Sequence, residues 1–149
     1  MILDNILIFK RDKIKFILKN LEPDNVTSHY VEPLKETNYI EHVPPKLSVV
    51  TQKEYVQKIN DSKNSLIFGL FTHDNHLIGT SGVQINFPSF KNYVNNDSKY
   101  LTLGILVIDK ENRGSGFGIM LVWAVSYLLN SYYCDLNIYA SMKKDNIAS

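Results

Sequence analysis

Leu101-Thr-Leu-Gly-Ile-Leu-Val-Ile-Asp-Lys-Glu-Asn112 runs directly into Arg113-Gly114-Ser115-Gly116-Phe117-Gly118 and then into Ile119-Met-Leu-Val-Trp-Ala-Val-Ser-Tyr-Leu-Leu-Asn130. The first part is apolar and β-branched, which predicts a strand. The last part is an apolar run of helical length. Glycines at 114, 116 and 118 permit unusual dihedrals and close approach of a ligand to the backbone. Strand, glycine turn and helix in that order bring together the free N–H groups of a helix start and the positive end of its dipole, a seat for a phosphate or pyrophosphate. A tight turn that binds nothing is the plain alternative.

Spacing separates the phosphate motifs. A P-loop requires a lysine after its last glycine, and none follows here. A dinucleotide fingerprint starting at Gly114 and Gly116 requires a third glycine where Ile119 stands. Arg-x-x-Gly-x-Gly remains, satisfied by Arg113, Gly116 and Gly118. This resembles the acetyl-CoA signature of the GNAT superfamily of N-acetyltransferases, where an apolar strand precedes the motif and a buried helix follows it.

The resemblance extends along most of the chain. Phe16 to Val26, with Leu21-Glu22-Pro23-Asp24, resembles the opening strand and turn of the branch containing ribosomal-protein alanine and aminosugar acetyltransferases. Val26-Thr27-Ser28-His29-Tyr30-Val31 resembles a segment of its aminosugar members, and Phe68-Gly69-Leu70 through Leu77-Ile78-Gly79-Thr80 resembles its central hairpin. Pro33 stands where that branch usually has tryptophan, and Lys35-Glu36 where it has Asn-Asp. At the end, Asn146-Ile147-Ala148-Ser149 is similar to the opening of the family's next helix. The resemblance therefore implies an α+β fold, a GNAT-type mixed and mainly antiparallel sheet flanked by helices, without its last helix and closing strands. A homodimer, or completion by another chain, is the matching expectation for partners.

Composition agrees with a small enzyme. The 149 residues suffice for one domain, 1–149, with no composition shift or internal repeat. A net charge of +1 gives no basis for capturing nucleic acid or an anionic membrane. Lys10, Arg11, Lys13 and Lys15 are spaced as the solvated tip of a hairpin. The start lacks a signal-peptide pattern and the apolar run after Gly118 is too short and interrupted to cross a bilayer, so a cytoplasmic location is expected.

Elsewhere, Ile6–Phe9 and Ile14–Leu18 read as strands. Asp24 or Thr27 would cap a helix toward Leu34 that Pro33 shortens or kinks. Thr51 to Glu54 reads as a capping box ahead of the apolar stripe Tyr55, Val56 and Ile59. Residues 66–71 and 77–87 form a hairpin around His73 to His76. The helix after Gly118 is apolar nearly all round, as a centrally packed helix should be, and Tyr133 to Ala140 alternates as a half-buried strand with Cys134 facing inward.

The family resemblance implies transfer of acetyl from acetyl-CoA to a primary amine, most naturally on a nucleotide-linked aminosugar. A protein N-terminal acetyltransferase and a catalytically silent CoA-binding or pairing fragment are the alternatives. It implies that the backbone of Leu106, Val107 and Ile108 binds the pantetheine arm as an added strand and supplies the oxyanion donor. The amides of Arg113, Gly114, Ser115, Gly116, Phe117, Gly118 and Ile119 would wrap the pyrophosphate, and Asn146 would join the cofactor contacts. An aliphatic amine with a pKa near ~10 must lose a proton before it attacks a thioester. Ser149 is the candidate acid toward the departing sulfur. Glu41 and His42 are candidates for relaying the amine's proton, with a surface loop before Pro44-Pro45 as the plain reading. His29 on a helix face, and His73 and His76 beside a turn, show no metal-ligand spacing, so no metal is expected.

Overall fold

The computed structural model describes residues 6–36, 47–88, 91 and 99–140. Strands β1 (Leu7–Arg11) and β2 (Ile14–Asn20) are followed by helices α1 (Ser28–Glu36) and α2 (Val49–Asn60). Strands β3 (Ser65–Thr72), β4 (Leu77–Ile85) and β5 (Tyr100–Val107) come next, then helix α3 (Phe117–Tyr132) and strand β6 (Asn137–Ala140). The six strands lie in one sheet in sequence order. Every neighbouring pair is antiparallel except β5 and β6, which are parallel because α3 carries the chain back across the sheet. The expected α+β architecture, a mixed and mainly antiparallel sheet flanked by helices, is the one observed.

Alternation along the strands builds two cores. On one face Leu18, Phe68, Leu70 and Leu101 pack under Leu121, Ala124, Val125 and Leu129 of α3. On the other, Ile67, Phe71 and Ile108 pack under Tyr30, Val31 and Leu34 of α1 and Val56 of α2. Tyr30 is buried at the seam of this second core, where Gln52 Nε2 donates to its hydroxyl at 3.1 Å. Desolvation pushes the phenol up to about 12, against hydrogen bonds with Gln52 and Thr80 that act in the opposite direction.

Local chemistry sets the turns. Asp12 and Lys13 both have positive φ, so β1 and β2 join through a two-residue turn whose twist matches the strands. Thr27 opens α1, its carbonyl accepting from the N–H groups of Tyr30 and Val31. The helix continues for three residues beyond Pro33, anchored by its buried apolar face.

Four sequence expectations are corrected. The capping box of α2 is formed by Ser48 and Thr51, because extended Ser48 is the residue positioned to accept from Thr51 N–H, at 3.2 Å, while Thr51 Oγ1 accepts from Ser48 N–H. The apolar stripe of α2 loses Tyr55, which is exposed. Helix α3 is not buried all round: Ile119, Trp123 and Tyr127 are 77%, 50% and 60% exposed. The last strand begins only at Asn137, because α3 runs to Tyr132 and a turn must precede the parallel strand; Cys134 lies in that turn and is exposed.

Candidate functional site

The site begins on β5 beyond its last described pair with β6. Against β4 it is paired from Leu101↔Ile85 to Val107↔Gly79. Against β6 the last described pair is Leu103↔Ala140. Ile108 N–H donates to Ile78 O at 2.9 Å, and at the other end Asn86 N–H donates to Tyr100 O. Even-numbered residues of this strand therefore turn their main-chain groups toward β4, and Ile105 and Val107 turn theirs to the opposite side. Beyond Leu103 that side has no strand partner among the described residues. Of the three residues expected to offer backbone to a ligand, Val107 faces the side away from β4. Leu106 faces β4, and the amide of Ile108 is held by β4.

The open edge leads into the glycine turn. Asn112 N–H donates to Asp109 O, Arg113 N–H to Lys110 O and Ser115 N–H to Asn112 O, which folds residues 109–115 tightly. Gly114 and Gly116 have φ of +80° and +83°, left-handed values that favour glycine. The first bond of α3 runs from Met120 N–H to Gly116 O, so the amides of Phe117, Gly118 and Ile119 precede it and lie at the positive end of a 16-residue helix. They are three of the seven amides expected to face a pyrophosphate; those of Arg113 and Ser115 are bonded within the turn.

A residue read as part of a solvated hairpin tip completes this turn. Arg11 reaches across from β1, and its Nη2 donates to Ser115 O at 3.0 Å. Its guanidinium carbon lies 5.7 Å from the centre of the Phe117 ring. A β-carbon at Gly116 would lie 3.4 Å from Arg11 Nη1. Beside the turn, Lys10, Arg11, Gly116, Ile119 and Trp123 border an open groove of about 480 Å³.

On the face of the sheet covered by α1 and α2, a second concavity adjoins the open edge. Gly82 and Gly104 are directly paired across β4 and β5. A β-carbon on either would meet nothing within 4 Å. The resulting hollow, about 270 Å³, is bordered by Tyr55 and Ile59 of α2 and by Ser65, Gln84 and Thr102. Desolvation raises the Tyr55 phenol above its ordinary value. Gly104 belongs both to the hollow and to the stretch of β5 beyond the last β6 pair, so a molecule in the hollow and one along the edge would meet there.

Among the expected site residues, Arg113 to Ile119 run without a break through the glycine turn into the start of α3, and Val107 leads into them. Glu41, His42, Asn146 and Ser149 lie outside the described residues.

No protein-family model and no curated protein matches the sequence. Solved structures do. The chain is similar to an aminoglycoside 6'-N-acetyltransferase from Acinetobacter baumannii, at 18% identity and a TM-score of 0.60, over 88% of this chain and 82% of that one. It is similar to glucosamine-6-phosphate N-acetyltransferase from Arabidopsis thaliana, at 16% identity and a TM-score of 0.62, over 88% and 84%. A further aminoglycoside N-acetyltransferase, solved in complex with CoA, is 18% identical with a TM-score of 0.63 over 89% of this chain and 80% of that one. At these identities the shared property is the fold. It is the fold of these N-acetyltransferases.

Proposed function

We propose that this protein transfers an acetyl group from acetyl-CoA to the primary amine of a small molecule, most specifically an aminosugar. The observation that carries the reading is the side of β5 at Ile105 and Val107, turned away from β4 and without a strand partner among the described residues, leading directly into the amides of Phe117 to Ile119 at the start of α3. The edge offers peptide groups to an amide-bearing arm, and the helix start offers N–H groups to its pyrophosphate. Lys10 and Arg11 border the neighbouring groove and match further phosphate charge, and Trp123 there offers an aromatic face to a base.

Attack by an amine builds negative charge on the thioester oxygen, and a backbone N–H held rigidly by the sheet stabilises that charge without reorganisation. Val107 and Ile105 are the donors on the open side. The hollow at Gly82 and Gly104 is the acceptor site of this reading. Its neutral polar groups, Ser65, Gln84, Thr102 and Tyr55, suit the hydroxyls of a sugar ring, and the aminosugar and aminoglycoside acceptors named for the structural neighbours support the same class. A nucleotide-linked aminosugar is the form favoured by the sequence resemblance.

The test is an acceptor screen with the purified chain, following release of CoA thiol. Aminosugars, nucleotide-linked aminosugars, aminoglycosides and N-terminal peptides are supplied separately with acetyl-CoA. The proposal predicts turnover with at least one aminosugar and none with peptides. Turnover of peptides alone would replace the acceptor, and hydrolysis without any amine dependence would overturn the proposal.

A further inference from the structure

We propose that His29, His76 and Asp109 form a binding site for a divalent transition metal ion, separate from the glycine turn. Chain spacing gives no sign of it. His29 lies in the first turn of α1, His76 at the end of the β3–β4 turn and Asp109 just after β5. Folding brings one ligand atom from each to within 4.8 Å of the others.

The geometry is that of a partly closed site. His76 Nε2 and Asp109 Oδ2 are 2.9 Å apart, and the two imidazole rings lie with centroids 4.9 Å apart, tilted by 41°. Bonds of about 2.0–2.2 Å to a tetrahedral ion place ligand atoms roughly 3.3–3.6 Å from one another. The His76–Asp109 pair has to open slightly and His29 to swing in. Both histidines are exposed, so neither rotation disturbs the core.

The scaffold beneath them is firm. His76 N–H donates to Thr72 Oγ1, and Thr72 N–H donates to His76 O at 2.9 Å. Asp109 is tied by its own N–H to Ile78 O and by Asn112 Nδ2, which donates to the same carboxylate oxygen at 2.9 Å. A hydrogen-bonded partner behind a ligand carboxylate orients it for a metal. Two imidazoles and one carboxylate form a borderline donor set, suited to Zn²⁺, Co²⁺ or Ni²⁺ and unsuited to the oxygen-only preference of Ca²⁺ or Mg²⁺. Three ligands leave further positions for water.

An ion here would tie α1 to the β3–β4 turn and to the start of the segment that leads into the glycine turn. The experiment is titration of the full chain with Co²⁺, read by visible absorption, and with Zn²⁺ by calorimetry. One equivalent is expected to bind, with tetrahedral or five-coordinate Co²⁺ bands. His29→Ala and His76→Ala should each weaken binding by roughly tenfold or more while melting normally without metal. Asp109→Asn, which keeps a hydrogen-bonding side chain in place, should weaken it as well. His73→Ala, on the same turn but outside the cluster, should bind as the parent does. Absence of saturable binding by the parent chain, or binding that survives both His29→Ala and His76→Ala, would overturn the proposal and leave a plain His–Asp hydrogen bond beside a second histidine ring.

Discussion

Gly104 offers a perturbation that separates stability from catalysis. It sits in the interior of β5, paired with Gly82, and a β-carbon there would meet nothing within 4 Å. Packing therefore gives no reason for glycine. A strand-interior glycine costs roughly 0.5–1 kcal/mol relative to alanine, largely through the freedom it loses on folding. Gly104→Ala should thus stabilise the protein by about that amount, a rise in melting temperature of about 1–4 °C for a chain of this size. Gly104→Val should be no less stable than the parent, since the added carbons point into the hollow. Function should move the other way. Gly104 is where the hollow meets the open edge, so new carbons displace an amine seated there, and a displacement of about 1 Å costs on the order of 10²-fold in rate. Thermal melts and amine-dependent thiol release, measured on the parent and both variants, test this together. Valine should lower kcat/KM by ~10²-fold, and alanine by less. Melting temperatures several degrees below the parent's would show that glycine is required by the fold. Undiminished turnover by the valine variant would remove the hollow from the acceptor site.

Three further perturbations probe other parts of the account. Arg11→Ala removes a guanidinium from the glycine turn, and because hydrogen bonds to charged groups contribute about 1.5–3 kcal/mol, acetyl-CoA should bind ~10-fold or more weakly; an unchanged affinity by calorimetry would reduce Arg11 to a cover over Phe117. Gly69→Ala would place a β-carbon 2.5 Å from Phe71 Cε2 and 3.0 Å from Leu21 Cδ1, both in fully packed side chains. A loss of about 1–3 kcal/mol should appear in denaturant melts, with an unchanged midpoint as the contrary result. Tyr30 ionises near 12 in the folded protein and nearer 10 when unfolded, so the unfolded chain loses its proton first. Its contribution, roughly 2–3 kcal/mol, is complete below pH 10 and lost as pH rises toward 12. Tyr30→Phe should flatten the alkaline fall in melting temperature, at a cost at neutral pH because Gln52 loses its partner. Parallel pH profiles for parent and variant would refute the assignment.

Local signals made most of the elements legible. The β1–β2 hairpin, the β3–β4 hairpin and the strand–glycine–helix unit each announce themselves through alternation, turn residues or glycine spacing, and they appear where expected. The glycine turn was legible for the same reason: all its parts lie within one short segment. Arg11 was not, because its partner Ser115 is 104 residues away and nothing local distinguishes it from its lysine neighbours. The Gly82–Gly104 hollow depends on the register of β4 against β5, which no stretch of either strand reveals alone. The choice of Val107 over Leu106 as the outward-facing backbone depends on the same register. Ser48 and Thr51 show how a local rule can be right in kind and displaced in place, since two overlapping stretches could each form the box. Trp123 and Tyr127 show the limit of reading burial from composition: an apolar residue on a helix need not face a core.

The proposed function stands on the glycine turn and the start of α3, Arg113 to Ile119, seating the pyrophosphate of acetyl-CoA. Calorimetric titration of the purified chain with acetyl-CoA, with NADH as a second dinucleotide and Gly116→Val as a variant, tests it most directly. The account predicts saturable binding of acetyl-CoA near one equivalent, none of NADH, and loss of binding in Gly116→Val, because Gly116 holds a φ of +83° and a bulky side chain there must displace Arg11. A folded parent chain that does not bind acetyl-CoA, or a Gly116→Val variant that binds it equally well, would contradict it.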